Sequence, residues 1–227
     1  SVQAVVSGGT RLEIGEAAPG AEPGDWGISN MIALTLTKGT SSRSGKEIST
    51  LVEGLGASID GSSGRNSLGL SMSGLVRDWD KLSALFFDVL SNPVFAETEV
   101  EHSRRVAEDA VRSIEDHTSQ LCFKNFLETL FEEHPYRYLT QGSLESLARI
   151  RREKMLAYYR DWVRPERLVL SVVGGVPEDQ IRSFCTAIEQ GLAKAAVSPP
   201  SRRFPEKLAD EKAPRAPRWV DRKLGRE

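Results

Sequence analysis

Cysteine is nearly absent from this chain: among 227 residues there are two, Cys122 and Cys185. With no C-x-x-C pair, they exclude both a zinc ribbon and a disulfide scaffold. Each falls in a helical pattern, where a buried, inert thiol is expected, and both leave the compartment open, cytoplasm or periplasm. Histidine is equally scarce. His102, His117 and His134 stand at no metal-binding spacing, and His117 lies five residues from Cys122, on a different helix face. No apolar run approaches the roughly 18 residues that cross a bilayer, so no membrane span is expected. Aromatic residues make up 7% of the chain and are not interleaved with a basic stripe, which argues against a nucleic-acid platform.

What is present suits a globular domain. Hydrophobic residues are 39% and charged residues 27%, enough to bury a core without metal or disulfide staples. The net charge of −2 conceals an asymmetry. From Ser198 onward nine Lys or Arg face five Asp or Glu, so the body carries the negative balance. Residues 199–217 hold five of the eleven prolines and show no apolar periodicity. Residues 1–195 are therefore read as one domain. Residues 196–227 are read as a Pro-rich basic linker, about 3.1 Å per residue where extended, leading into a truncated next domain.

The pattern along the body alternates between periods. SVQAVVS at the start is strand-like, and residues 15–25 read as a loop. In GISNMIALTLTKGT, residues 27–40, apolar side chains nearly encircle a helix, the mark of a buried one. Ser44 caps a second helix to Leu55. Ala57–Ser63 and Ser67–Ser73 read as a hairpin, the second strand alternating Leu68, Leu70 and Met72 against Ser and Gly. Asp80–Leu90 is helical. Thr98 is expected to cap a long polar helix to Glu115, with Glu101 as its partner. Helices follow over Leu121–Phe131, Ser143–Ile150 and Glu153–Trp162. Arg167–Val173 reads as a buried strand, and Pro177 opens a last helix to Leu192 with Ile181, Phe184, Cys185 and Ile188 on one face. Hairpin pairing between long helical excursions favours an α+β sandwich, a mainly antiparallel sheet covered by helices.

Three ordered stretches carry a resemblance. They are Gly27–Thr40, ending LTKGT; GLGASIDGSSGRNSLGLSMSG at residues 54–74; and HPYRYLTQGSLESL followed by YYRDWVRPERLVLSVVGGV. Together they resemble the insulinase/pitrilysin family of zinc peptidases, which includes the mitochondrial processing peptidases. The resemblance covers residues 1 to about 195 and implies an αβ-roll with a sheet of about five to six strands, paired with other rolls around a chamber.

The family's inverted zinc motif, His-x-x-Glu-His, lies on the first buried helix, with a Glu ligand on the long helix. Aligning LTKGT places the two His positions at Asn30 and Leu34, the general base at Ala33 and the third ligand near Ala110, with Glu108 and Asp109 adjacent. The resemblance thus implies no metal site in this chain, and zinc only in the parent protein. The degenerate helix is expected to bury its whole circumference. Arg65 occupies the hairpin without the Tyr that accompanies an Arg in the family's non-catalytic rolls. If a ligand function persists, the segment Ala57, Ser58, Ile59, Asp60 and Gly61 is its place, since main-chain β-addition needs no metal.

The first reading is a non-catalytic, chamber-forming roll of a zinc metalloendopeptidase, the zinc being carried by a sibling roll of the same chain or a homologous subunit. Its rival is a peptide-binding or assembly subunit with no proteolytic role, whose ligand would be unfolded peptide. A third reading is an active peptidase with an unrecognised site.

Overall fold

A computed structural model describes residues 1–13, 24–131 and 134–195. Strand β1 (Val2–Ser7) leads through a short helix α1 (Thr10–Glu13) to α2 (Ile28–Thr35) and α3 (Gly45–Gly54). The hairpin β2 (Ser58–Ser63) and β3 (Ser67–Ser73) follows. Then come α4 (Trp79–Ser91), α5 (Glu97–Asp116), α6 (Thr118–Leu130), α7 (Leu144–Arg149), α8 (Arg152–Trp162), β4 (Leu168–Val172) and α9 (Glu178–Ala195).

The strands form one antiparallel sheet in the order β2-β3-β1-β4. In its register Ala4 lies opposite Leu70 on one side and Leu170 on the other. Alternation then puts Val2, Ala4, Val6, Leu68, Leu70 and Met72 on one face, all buried. Those side chains join Ile28, Met31 and Ile32 of α2 in a single core. Gln3, Ser71 and Ser73 line the opposite face, where a polar set is expected of a half-solvated antiparallel sheet.

Local chemistry explains most boundaries. Ser44 accepts from the Glu47 amide while the Glu47 carboxylate takes the Ser44 amide, a reciprocal cap that starts α3. Turn residues 64–66 close the β2–β3 hairpin, with the Gly64 amide donating to Ser67 O at 2.8 Å.

Several expectations need correction. The sheet has four strands among the described residues, against the five to six expected. The strand expected at Arg167–Val173 is Leu168–Val172 and lies at the edge among the described strands, with Val169 and Val173 each 69% exposed. An apolar run on both faces resembles a doubly covered strand, but sheet order is a tertiary property. Helix α5 begins at Glu97, behind Ala96 and without a side-chain cap; Thr98 lies inside it, and Glu101 instead pairs with Arg104 at 3.0 Å. Both cysteines are exposed. The buried stripe of α9 is Phe184, Ile188 and Leu192, four apart, which turns Cys185 about 100° away from it. Most of the expected loop at 15–25, and the expected linker 196–227, lie outside the described residues.

One polar cluster fixes the junction between α2 and α3. The buried Asp88 carboxylate accepts from Thr40 Oγ1 at 2.8 Å, Ser42 Oγ at 2.6 Å, Arg43 Nη1 at 2.6 Å and Asn92 Nδ2 at 3.1 Å. Burial alone would push its pKa up, but the donors from Ser42, Thr40, Asn92 and Arg43 outweigh burial and hold it below the ordinary carboxylate value. Asp88→Ala orphans these donors and is expected to cost about 1–3 kcal/mol at pH 7, read from chemical denaturation. Because the folded-state pKa is depressed, this contribution is present above the unfolded carboxylate value and is lost as pH falls through the folded one. The gap between the two proteins should therefore close in acid.

Candidate functional site

Helix α2 is held at its start by a residue far upstream. Glu13 accepts from the Gly27 amide at 2.7 Å and from the Ser29 amide at 3.0 Å, two donors that the first turn leaves without helical partners. Ser29 Oγ accepts from the Gly9 amide and donates to the Tyr158 hydroxyl at 3.1 Å. Gly27 has φ +91°, and a Cβ there would lie 2.9 Å from Gly142 Cα, so a larger residue is barred twice over. Burial pushes the Glu13 carboxyl up to about 7, an effect only partly offset by the Gly27 and Ser29 donors.

From that anchor α2 runs with Ile28, Met31, Ile32 and Leu36 buried. Asn30 and Leu34, one turn apart on a shared face, are half-buried, and Ala33 is buried between them. The helix therefore does not bury its whole circumference. Asn30 and Leu34 keep part of their surface open to solvent, Leu34 at the same time packing against the core, while the other residues of the helix are buried. Helix α5 packs beside α2, its Val100 and Ala107 joining the same core, and Ala110 is exposed on α5.

Strand β2 lies against the same helix. A Cβ on Gly61 would sit 2.2 Å from the Ala33 carbonyl oxygen, so the two backbones meet with no side chain between them. β2 is an edge strand, paired to β3 alone among the described strands. Ala57 precedes it, half-buried, its amide donating to Val52 O at 3.0 Å. Along the strand Ser58 and Asp60 are exposed, Ile59 is buried and Gly61 is half-buried. The structure thus sets Ser58–Gly61 beside the helix that carries Asn30, Ala33 and Leu34.

Other candidate residues have structural duties. The Arg65 guanidinium donates to the carbonyls of Tyr136 at 2.6 Å and Tyr138 at 3.2 Å, and its Cζ lies 5.6 Å from the Tyr136 ring centre. His134 caps the turn Pro135–Arg137 by accepting from the Tyr136 amide at 3.2 Å. Among the described residues no three His, Cys, Asp or Glu side chains converge as a metal site. A cavity of about 340 Å³ opens near the start of α2, lined by Trp26, Val111, Ile114, Lys124, Glu128 and Arg137 among others. Neither Glu13 nor this cavity was legible in sequence. Glu13 is an ordinary acid in a polar stretch, and the cavity draws on segments distant along the chain.

Glu13 generates a prediction with a definite sign. Its folded-state pKa lies above the unfolded value of 4.5, so the native state binds the extra proton between pH 4.5 and 7. The stabilising effect is complete below the unfolded value and is lost as pH rises through the folded one. Relative to Glu13→Gln, the native protein should lose at most about 3 kcal/mol across that window, measured as denaturation midpoints against pH. The slope, and not the absolute stability of the variant, is the readout.

Comparison with known proteins adds to this geometry. Residues 20–142, more than half of the chain, match Insulinase (Peptidase family M16), and residues 149–218 match the Peptidase M16 inactive domain. An uncharacterized zinc protease of Rickettsia bellii is 23% identical over 159 residues, covering 70% of this chain and 39% of that protein. Mitochondrial-processing peptidase subunit beta of Neurospora crassa is 23% identical over 155 residues, covering 68% and 33%. Cytochrome b-c1 complex subunit 1 of Mus musculus is 25% identical over 144 residues, covering 63% and 30%. The crystal structure of a peptidase M16 inactive domain from Pseudomonas fluorescens superposes with a TM-score of 0.77 at 16% identity, covering 94% of this chain and 48% of that one. A protease from Helicobacter pylori gives 0.75 at 17%, with the same coverage. The chain thus spans well under half the length of these curated relatives and about half of the solved chains. No described helix is long and apolar enough to cross a membrane. With a matched region exceeding half its length and the same α+β architecture, the chain belongs to the insulinase family of peptidases, family M16.

Proposed function

We propose that this chain is a non-catalytic, chamber-forming αβ-roll of an insulinase-type zinc metallopeptidase, with the zinc held by a sibling domain or a partner subunit. The observation that carries this reading is the half-buried face of α2, which carries Asn30 and Leu34, the latter packed against the core. A catalytic zinc takes three protein ligands, drawn from imidazole, thiolate and carboxylate, and keeps a position open for water. Asn30 offers an amide oxygen, while Leu34, Ala33 and the exposed Ala110 offer no donor and no general base. These residues do not fit zinc, and no hydrolytic step follows from them. The match of residues 149–218 to an inactive domain supports the same view. Among the relatives, one is named a zinc protease and two are named as subunits, which supports a metal elsewhere and a homologous partner.

A second reading, a peptide-binding or assembly subunit without proteolysis, draws support from the outer edge of β2, which no described strand pairs with. An extended peptide could add there through main-chain hydrogen bonds alone.

Two measurements test these readings. After dialysis, the purified chain should retain no stoichiometric zinc, and restoring the motif with Asn30→His, Ala33→Glu, Leu34→His and Ala110→Glu should bring it to about one ion per chain. Stoichiometric, chelator-sensitive zinc in the unaltered chain overturns the non-catalytic reading. A restored set that stays empty removes α2 as the metal face. For the second reading, titration with an unfolded peptide should shift the amide signals of Ser58–Gly61, and an unmoved spectrum dismisses peptide addition at β2.

A further inference from the structure

Three large apolar side chains are buried without joining the core. Trp26, Ile114 and Leu127 are 5–8% exposed, yet they stand outside the apolar cluster built on the sheet. Two of them, Trp26 and Ile114, line the cavity of about 340 Å³ near the start of α2. Sites for small ligands run from roughly 300 to 1,000 Å³, so the volume is at the small end of that range. As lined by the described residues, the cavity has an apolar wall of its own.

That wall is fixed from several sides. The Trp26 indole N–H donates to the Leu139 carbonyl, and the Trp26 and Tyr138 ring centres lie 4.7 Å apart. Gly142, with φ +88°, brings its backbone against the Trp26–Gly27 segment. A Cβ there would lie 3.1 Å from Trp26 O and 3.2 Å from Gly27 Cα. Upstream, Arg65 holds the Tyr136 and Tyr138 carbonyls; downstream, Ser143 and Ser146 form the reciprocal cap that starts α7. The aromatic pair is therefore preformed, which spares a ligand the cost of ordering it.

Four charged side chains complete the described lining. Glu115 comes from the end of α5, Lys124 and Glu128 from α6, and Arg137 from the turn before Tyr138. Lys124 and Glu128 are four apart and share one helix face. Two acids and two bases leave the lining electrically balanced. A ligand of net charge meets repulsion from one pair, whereas a ligand carrying both signs finds a complement for each. Arg137 already lies over the Tyr138 ring, and Glu128 also has a partner within the chain. Among the described residues neither Glu115 nor the half-buried Lys124 has an ion-pair partner.

We propose that this cavity binds a small zwitterion with an aromatic or branched apolar body, of the kind a free α-amino acid or a dipeptide provides. The body lies against Trp26, Tyr138 and Ile114, the carboxylate toward Lys124 and the ammonium toward Glu115. The cavity shares no residue with the Ser58–Gly61 segment, and zinc plays no part in it.

Nuclear magnetic resonance of the purified chain tests this. The indole N–H of Trp26 is the reporter, and those of Trp79 and Trp162, which belong to the core, are the reference. L-Phenylalanine should move the Trp26 signal saturably, with a Kd at or below about 1 mM, and leave the reference in place. N-Acetylphenylalanine lacks the ammonium and phenylalaninamide lacks the carboxylate; each should bind at least about 10-fold more weakly. Lys124→Gln should abolish the preference over the amide, and Glu115→Gln the preference over the acetylated form. The reference signals report that both variants are folded. Glycylphenylalanine separates the sources: tighter binding than phenylalanine assigns a peptide, weaker binding a free amino acid. A Trp26 signal that stays still up to about 10 mM overturns the proposal. Equal affinity for phenylalanine and its two derivatives does so as well, and so do variants that keep both preferences.

Discussion

Where the carbonyl of Ala33 meets the Cα of Gly61, a helix and an edge strand touch main chain to main chain, and much of the architecture follows from that approach. Without a side chain at position 61, α2 can lie flat against β2 and still send Ile28, Met31 and Ile32 into the core. The start of the helix is fixed by Glu13, whose carboxyl takes two amides of the first turn. Its far end is fixed by the cluster around Asp88. Held at three points, α2 has little freedom to rotate, and that determines which of its side chains look outward.

The outward set is what makes the site informative. A helix gains by burying apolar side chains, yet Leu34, packed against the edge of the core, remains half-buried while most of its neighbours are covered. The backbone contact at Ala33 explains this. Turning the helix to bury Leu34 would swing Ala33 away from Gly61 and lift Met31 and Ile32 out of the core, and each fully buried side chain of that size is worth about 1.5–3 kcal/mol. The orientation is therefore a property of the fold, independent of what the exposed positions carry. The face that carries Asn30, Ala33 and Leu34 is set by these contacts and not by the identity of its own side chains.

Much of this was readable in advance, for local reasons. The β2–β3 hairpin is written in the alternation of Leu68, Leu70 and Met72, and α3 in its Ser44 cap. Readings that failed depended on neighbours distant in sequence. LVLSV has the composition of an inner strand and sits at an edge because its place in the sheet is decided by β1. Cys185 is one residue from Phe184, but a rotation of 100° separates exposure from burial. Thr98 carries good capping chemistry, yet α5 starts a residue earlier, and Glu101 bonds Arg104 instead. Glu13 gave no signal at all, since nothing in its own surroundings announces a partner fourteen residues away.

The Asp88 cluster has a consequence for how the domain responds to its solvent. Its donors are hydroxyls, an amide and the guanidinium of Arg43, all covalently part of the chain. The α2–α3 junction keeps its shape whether or not divalent ions are stripped away. What competes with it is a free guanidinium ion, which can take the place of Arg43 on the carboxylate, or a multivalent anion that draws Arg43 off. Urea does neither as strongly, so the two common denaturants attack this joint by different routes.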